Sequence, residues 1–303
     1  MKLLAGTSHP LLSEEISRIL KISVVPSIIS RFADGEVRVE INENIKNHSV
    51  VLIQSTCPPV NENMMELFVL LDALKQAQAR EITVVIPYFG YSRQDRKTKE
   101  GSPVSAHLMA HLLKTAGADR AVLLDLHSQS VENFFKIPIK HLSAVPLLAR
   151  EWRKKNSHLS DVTCISPDAG GLKRAKVFSE IIEADLACIH KERSQPNQAQ
   201  AIKLEGKVGK NAIIIDDMVD TAGTLCTAVD NLIQNGAENI FVSAVHGLFS
   251  SPAIQRIEQS PVKEIWVTDS VALSSSAQRC KKIKVVSTAG LLVQACTQAS
   301  ERN

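Results

Sequence analysis

The sequence predicts an α/β protein built on parallel sheets, and three observations carry that prediction. Short runs rich in Val, Ile and Leu alternate with longer segments of helical period. Most of the runs are apolar at consecutive positions, as strands covered on both faces require. The chain of 303 residues, 44% of them hydrophobic and 22% charged, is long enough for about two domains that each bury a core.

In chain order the strand-like runs are Val50–Ile53, Ile82–Ile86, Ala121–Leu124, Val162–Ile165, Ala212–Ile215, Ile240–Val245, Ile265–Val267 and Ile283–Val286. Between them lie helix-period stretches such as Met64–Ala79 and Thr221–Asn235. Strand, helix, strand in alternation means parallel sheets with helices on both faces. The segment Asp72–Val84 is echoed by Asp230–Val242: Leu74, Gln76, Ala79 and Ile82 are answered by Leu232, Gln234, Ala237 and Ile240 at a constant offset. A tandem duplication of one α/β domain explains that spacing. The expected division falls near His141–Leu148, at the start of a helix. It gives one domain over residues 1–142 and a second over 143–287, with 288–303 able to pack back on the first.

Composition excludes several classes of function. Lys and Arg number 35 against 32 Asp and Glu, and so small an excess gives no electrostatic footprint for nucleic acid. Aromatics are 4%, too few for base-stacking platforms. The six cysteines are scattered without a C-x-x-C pair, which excludes the usual zinc spacings and a disulfide framework. Cys164 and Cys188 sit in apolar runs and read as buried small hydrophobes. The N-terminus turns polar after five residues, so no signal peptide is expected. No run approaches the roughly 18 apolar residues of a membrane span. A cytoplasmic location is expected, with no membrane and no nucleic-acid partner.

The strongest chemical signal is Asp216-Asp217-Met218-Val219-Asp220-Thr221-Ala222-Gly223-Thr224. A buried strand ends in two carboxylates, a small-residue loop follows, then an amphipathic helix. Small side chains let backbone N–H groups approach an anion, and a helix N-terminus adds a favourable dipole. Thr221 and Thr224 can donate to phosphate oxygens, and the carboxylates suit sugar hydroxyls or a metal shared with phosphate. The loop has no Lys, so it is not a Walker A motif. The structural alternative is an acidic turn in which Asp220 caps the helix. Three carboxylates within five residues at a strand's C-terminal end weigh against that alternative. Elsewhere, Arg93, Arg96 and Lys97 follow the strand Ile82–Pro87, and a cation cluster at a strand end suits the phosphates of a nucleoside triphosphate. Phe32-Ala33-Asp34-Gly35-Glu36 reads on its own as a tight turn. Lys191 and Arg193 follow the strand Asp185–Ile189, and the turn-prone Ser194–Gln198 comes next, which suits a loop closing over phosphate. His107 and His111 are four apart on a helical stretch without the Glu of H-E-x-x-H, and both read as helix-surface residues.

The Asp216–Thr224 pattern resembles the phosphoribosyl-diphosphate fingerprint of the phosphoribosyltransferase superfamily. Together with Phe32–Glu36, Arg93–Lys97, Asp125-Leu126-His127, Ser166–Gly171 and Lys191-Glu192-Arg193 it resembles the ribose-phosphate pyrophosphokinase family, in the right order over nearly the whole chain. The resemblance implies two tandem phosphoribosyltransferase-like domains. It also implies Mg²⁺-dependent transfer of the diphosphoryl group of ATP to the C1 hydroxyl of ribose 5-phosphate, with AMP leaving. By resemblance, ATP is held by Phe32, Asp34, Gly35, Glu36, Arg93, Gln94, Asp95 and His127. Mg²⁺ meets His127 and Asp168. Lys191 and Arg193 are catalytic, and ribose 5-phosphate is held by Arg193, Asp216, Asp217, Asp220, Thr221, Ala222, Gly223 and Thr224. The Phe32–Glu36 loop reaches a neighbouring subunit's ATP site, so a homo-oligomer is implied, dimer-based and reaching a hexamer.

The chain also departs from the family. Its catalytic triplet has Glu192 where Arg is common. Glu100, Gly101, Glu132 and Lys140 stand where a regulatory anion site draws on other residues, which implies weak phosphate activation. Two alternatives stay open at this level. One is a plain purine or pyrimidine phosphoribosyltransferase, which needs neither the Arg93-Gln94 site nor a second domain. The other is a non-catalytic regulatory subunit, which should have lost Lys191, His127 or the Asp216 loop.

Overall fold

The computed structural model describes residues 1–191 and 202–300. The chain divides into two compact units. The first contains Met1–Ser143, Ser270–Ala272 and the described residues from Ser287 onward; the second contains the described residues of Ala144–Asp269 together with Leu273–Val286.

The first unit runs β1 (Lys2–Ala5), α1 (Pro10–Leu20), β2 (Ser27–Arg31), β3 (Val37–Ile41), β4 (Ser49–Ile53), α2 (Val60–Gln76), β5 (Glu81–Ile86), α3 (Ser105–Ala116), β6 (Arg120–Leu124) and β7 (Ile139–Leu142). Strands β1-β4-β5-β6-β7 make one sheet in that order, every pair parallel. The consecutive apolar runs are explained by its two covered faces. Val50, Leu52, Ile82, Val84 and Ile86 pack on one side with Leu67, Leu70, Leu71 and Leu74 of α2 and Ala110 and Leu113 of α3. Val51, Ile53, Val85 and Val122 pack on the other with Leu12 and Ile16 of α1 and with Ala289, Leu292 and Ala295 of the helix Ala289–Ser300. Each fully buried Leu or Ile contributes roughly 1.5–3 kcal/mol. Local signals set the helix ends: Pro10 opens α1, with His9 Nδ1 accepting from Leu12 N–H at 3.2 Å, and Gly117 closes α3 at φ +123°.

The second unit runs α4 (Val145–Asn156), β8 (Val162–Ser166), α5 (Leu172–Ile182), β9 (Asp185–Lys191), β10 (Ile202–Glu205), β11 (Asn211–Val219), α6 (Gly223–Gln234), β12 (Asn239–Gly247), α7 (Ala253–Gln259), β13 (Val262–Thr268), α8 (Ser275–Arg279) and β14 (Ile283–Val286). Its sheet has the order β10-β9-β8-β11-β12-β13-β14, parallel throughout except for the antiparallel edge pair β9–β10. Ile214, Val242, Ile265 and Val267 bury against Val229 and Leu232 of α6 and Ile257 of α7. Trp152 of α4 meets Phe178 of α5 and Phe241 of β12, with ring centroids 6.4 and 5.6 Å away. The echoed segments occupy equivalent places: α2 ends at Gln76 and α6 at Gln234, while β5 starts at Glu81 and β12 at Asn239.

Several details differ from the sequence reading. The two helices run Val60–Gln76 and Gly223–Gln234, not Met64–Ala79 and Thr221–Asn235. The latter shift matters, because it leaves Asp220, Thr221 and Ala222 in the loop. Strand β9 continues to Lys191, which is in register with Ile202, so Lys191 ends the strand and does not follow it. Strands β1, β7, β10 and the β2–β3 hairpin carry weak or mixed sequence patterns and emerge only from pairing. Cys164 and Cys188 are buried, as their surroundings predict. Among the described residues no helix is long and apolar enough to cross a membrane.

Open parallel sheets bind ligands beyond the C-terminal ends of their strands. Four non-glycine residues hold positive φ just past such ends: Tyr91 (63°) after β5, Asp125 (35°) after β6, Ala222 (59°) after β11 and Phe249 (48°) after β12. A left-handed non-glycine residue costs about 1–2 kcal/mol, so the two edges that carry the candidate motifs are also where the backbone stores strain.

Candidate functional site

In the second unit β11 carries Asp216 and Asp217 to the sheet's C-terminal edge. The Asp217 side chain is nearly buried and that of Asp216 is 34% exposed. The Asp217 N–H donates to Asp216 Oδ1 at 2.8 Å. Burial first, and the neighbouring Asp217 carboxylate second, push the Asp216 carboxyl up to about 8, while the Asp217 N–H and Arg174 pull the other way. Asp220, Thr221 and Ala222 then turn the chain into α6. The N-cap of α6 is Ala222, and no side chain caps it, so Asp220 does not take the capping role. The loop thus presents uncapped N–H groups at a helix start, with the Thr221 and Thr224 side chains exposed beside it. Arg256 of α7 steadies the loop by donating to the Thr221 carbonyl at 2.8 Å.

Next along the same edge, β8 ends in Ser166 and leads into the Asp168–Gly171 turn. Asp168 is exposed; its Oδ1 accepts from Gly171 N–H at 2.9 Å, and its carbonyl accepts from Ser166 Oγ at 2.7 Å. Arg174, three residues on, lies between this turn and the aspartate pair, with Nη1 at 3.6 Å from Asp216 Oδ1 and 3.8 Å from Asp217 Oδ1. The sequence reading missed Arg174. The signal was present: Gly171, Ala175, Phe178 and Ile182 mark the buried face of α5 at helical spacing, and Arg174 flanks it.

In the first unit the segments after β5 and β6 come together. Asp95 Oδ2 accepts from Ser128 Oγ at 2.6 Å and from Ser130 Oγ at 3.3 Å. Desolvation works against ionisation here, but these hydroxyls and the His127 imidazole outweigh it and hold Asp95 below its ordinary value. Gln94 takes a partly structural part. Its side-chain oxygen accepts from Ser105 Oγ at 2.6 Å and its carbonyl accepts from Ala106 N–H at 3.2 Å, fixing the start of α3. Arg93, Arg96 and Lys97 are exposed around it.

Phe32–Glu36 is the turn of the β2–β3 hairpin. Phe32 N–H donates to the Glu36 carbonyl at 2.8 Å, Glu36 N–H donates to Asp34 Oδ1 at 3.1 Å, and Gly35 sits at φ +97°, where a Cβ would be strained. Phe32 is 52% exposed, with the Arg38 guanidinium 6.0 Å from its ring centroid. Arg31, just before the turn, pairs with the fully buried Glu66 of α2 at 2.9 Å and so ties the hairpin to the first unit's core. Lys191 ends β9, and Arg193 lies outside the described residues. His107 and His111 lie on α3 with ring centroids 4.1 Å apart, and His111 is half-buried where a surface residue was expected. Among the described residues no group of three or more His, Cys, Asp and Glu side chains could hold a metal ion.

Comparison with known proteins narrows what this arrangement belongs to. Residues 1–117 match the N-terminal domain of ribose phosphate pyrophosphokinase, and residues 193–302 match the phosphoribosyl synthetase-associated domain. The ribose-phosphate pyrophosphokinase of Clostridium acetobutylicum is 42% identical over 302 residues, covering 99% of this chain and 94% of the relative. That of Bacillus subtilis is 42% identical over 303 residues, covering 100% and 95%. Among solved structures, the phosphoribosylpyrophosphate synthetase of Mycobacterium smegmatis superposes with a TM-score of 0.93 at 35% identity, covering 100% of this chain and 99% of that one.

Proposed function

The chain belongs to the ribose-phosphate pyrophosphokinase family and is an enzyme of that kind, and on that premise we propose that it transfers the diphosphoryl group of ATP to the C1 hydroxyl of ribose 5-phosphate, releasing AMP. The observation that carries the reading is the uncapped Ala222–Thr224 helix start beside two carboxylates at one strand end. It offers N–H donors for a 5-phosphate and acceptors for ribose hydroxyls, side by side.

In this reading Asp216, Asp217 and Asp220 orient the sugar, while Thr221, Ala222, Gly223 and Thr224 take its phosphate. Arg93, Gln94, Asp95 and His127 hold the ATP phosphates and ribose. Phe32, Asp34, Gly35 and Glu36 meet the adenine at a neighbouring subunit's site, which makes the working enzyme a homo-oligomer, dimer-based and reaching a hexamer. The C1 hydroxyl oxygen attacks the β-phosphorus and gives up its proton to solvent, the bond from that phosphorus to the α,β-bridging oxygen breaks, and AMP leaves carrying that oxygen. Lys191 and Arg193 stabilise charge on the group in transit, and catalysis rests on positioning and charge neutralisation.

The residues fit Mg²⁺. Asp168 offers a hard oxygen ligand on an exposed turn, and the ion keeps most of its waters and leans on substrate phosphates, so a dedicated cage is not required. His127 and Asp168 are the residues that would meet it. When bound it would supply positive charge that offsets the charge developing on the ATP phosphates. The proposed location is the cytoplasm. AMP formation that depends on both ribose 5-phosphate and Mg²⁺ tests the function; AMP release without ribose 5-phosphate would refute it. Light scattering of the purified protein tests the assembly.

The departures at the family's regulatory anion site support a second proposal, weak or absent activation by inorganic phosphate. Glu132 is engaged by His141 Nδ1 at 2.7 Å, and His141 Nε2 accepts from Leu126 N–H at 2.9 Å. In this reading the Glu132 carboxylate, so engaged, disfavours an anion beside it.

A further inference from the structure

Arg174 departs from its neighbours on α5. Lys173 and Lys176, beside it in sequence, are exposed, whereas the Arg174 side chain folds inward and is 17% exposed. It points at the aspartate pair. Both contacts, 3.6 Å to Asp216 and 3.8 Å to Asp217, are longer than hydrogen bonds, so the guanidinium faces the two carboxylates as a shared charge. Gly171 lets the turn close on Ser166: a Cβ there would lie 2.9 Å from Ser166 Oγ, whereas Arg174 Nη1 would be at an ordinary contact distance of 3.6 Å. Three separate pieces of chain, the Asp168–Gly171 turn, the first turn of α5 and the end of β11, therefore meet at one cation.

Two adjacent carboxylates at a phosphate loop pose a problem. They repel each other, and they repel the incoming phosphate. Burial first, and the Asp217 carboxylate second, raise the affinity of Asp216 for a proton. A planar, always-charged group that faces both carboxylates relieves both repulsions, which a single lysine ammonium does less well. We propose that Arg174 is the positioning residue of the ribose 5-phosphate loop: it holds Asp216 and Asp217 in the orientation that accepts the sugar hydroxyls and offsets their charge against the arriving phosphate. This rests on the assignment of the Asp216–Thr224 loop to ribose 5-phosphate. Arg174 acts through the two aspartates, so its removal affects that substrate and leaves the ATP contacts alone.

The experiment compares wild type, Arg174→Met and Arg174→Lys in the intact enzyme. It measures the KM of each substrate and titrates ribose 5-phosphate alone by calorimetry, with thermal melts alongside. Arg174→Met is expected to raise the KM for ribose 5-phosphate about tenfold or more, the loss typical of one charged interaction, and to move the KM for ATP less than twofold. Arg174→Lys is expected to recover part of the loss. An unchanged ribose 5-phosphate KM in Arg174→Met, or both KM values rising together, would overturn the proposal. If Arg174→Met does not fold, Arg174→Lys decides against wild type: an intermediate ribose 5-phosphate KM supports the role, and a wild-type value overturns it. Failure of the wild-type enzyme to bind or use ribose 5-phosphate would overturn the loop assignment itself, a result distinct from wild-type binding that the variants leave unchanged.

Discussion

Gly223→Val separates the proposed phosphate-binding role of the α6 start from its structural role, because the geometry predicts opposite sizes for the two effects. A Cβ at Gly223 meets only Arg256 Nη1 at 3.3 Å and Thr221 Oγ1 at 3.9 Å. The first of these is the tip of a long side chain that can shift by a few tenths of an ångström. The Gly223 backbone is not in the left-handed region, so a side chain adds no strain. Replacing Gly by Val at a helix start gains a few tenths of a kcal/mol of propensity at most. The net stability change should therefore stay within about ±1 kcal/mol, a melting shift of roughly 4 °C or less. Binding responds differently. The methyl groups cover the N–H groups that a phosphate must reach to about 2.9 Å. Losing one or two charge-assisted hydrogen bonds at about 1.5–3 kcal/mol each raises the ribose 5-phosphate KM by about ten- to ten-thousandfold. Initial rates over a ribose 5-phosphate titration and a thermal melt of the same preparation measure both. An unchanged KM refutes the phosphate assignment, and a melting point lower by more than about 10 °C refutes the claim that the glycine is there for the ligand.

Three further outcomes follow from the same geometry. Lys191→Ala, at the end of β9, should lower turnover by about 10²–10³ with ATP affinity little changed, because its contact is made mainly in the transition state; equal turnover in single-turnover assays counts against a catalytic Lys191. Asp216, with its carboxyl at about 8 in the folded protein, keeps a proton that the unfolded chain gives up near pH 4, so this group's contribution to stability falls as pH rises through that window. Asp216→Asn should flatten the pH dependence of the ligand-free unfolding free energy between about pH 4 and 8 by roughly 1–2 kcal/mol, after discounting for the solvent-facing part of the side chain, while weakening ribose 5-phosphate binding; an unaltered pH profile by calorimetry contradicts it. Initial rates across a phosphate titration should change little, and a many-fold rise at millimolar phosphate would show that Glu132, Glu100 and Gly101 leave a working activator site.

The α/β class, the central strands and the small-residue turn from β11 into α6 were legible in the sequence, because each rests on a pattern that short-range physics writes into neighbouring residues. Val50–Ile53 is apolar at every position since its alternate residues face different helix layers, and that double burial leaves an uninterrupted run. Asp216–Thr224 is legible because a tight turn from a buried strand into a helix leaves small residues at the junction. Other features depend on partners distant in the chain. Lys2–Ala5 becomes a strand by pairing with β4, and Ile202–Glu205 by antiparallel pairing with β9. Ser128 and Ser130 gain meaning only when the loop after β6 meets Asp95, over thirty residues earlier. Arg174 carries the same lesson most sharply. As a sequence it is one of three basic residues in a short helix; that it turns inward, while Lys173 and Lys176 turn out, is set by the aspartates on β11, some forty residues on. A helix fixes which residues share a face, but only tertiary packing decides which charge that face meets.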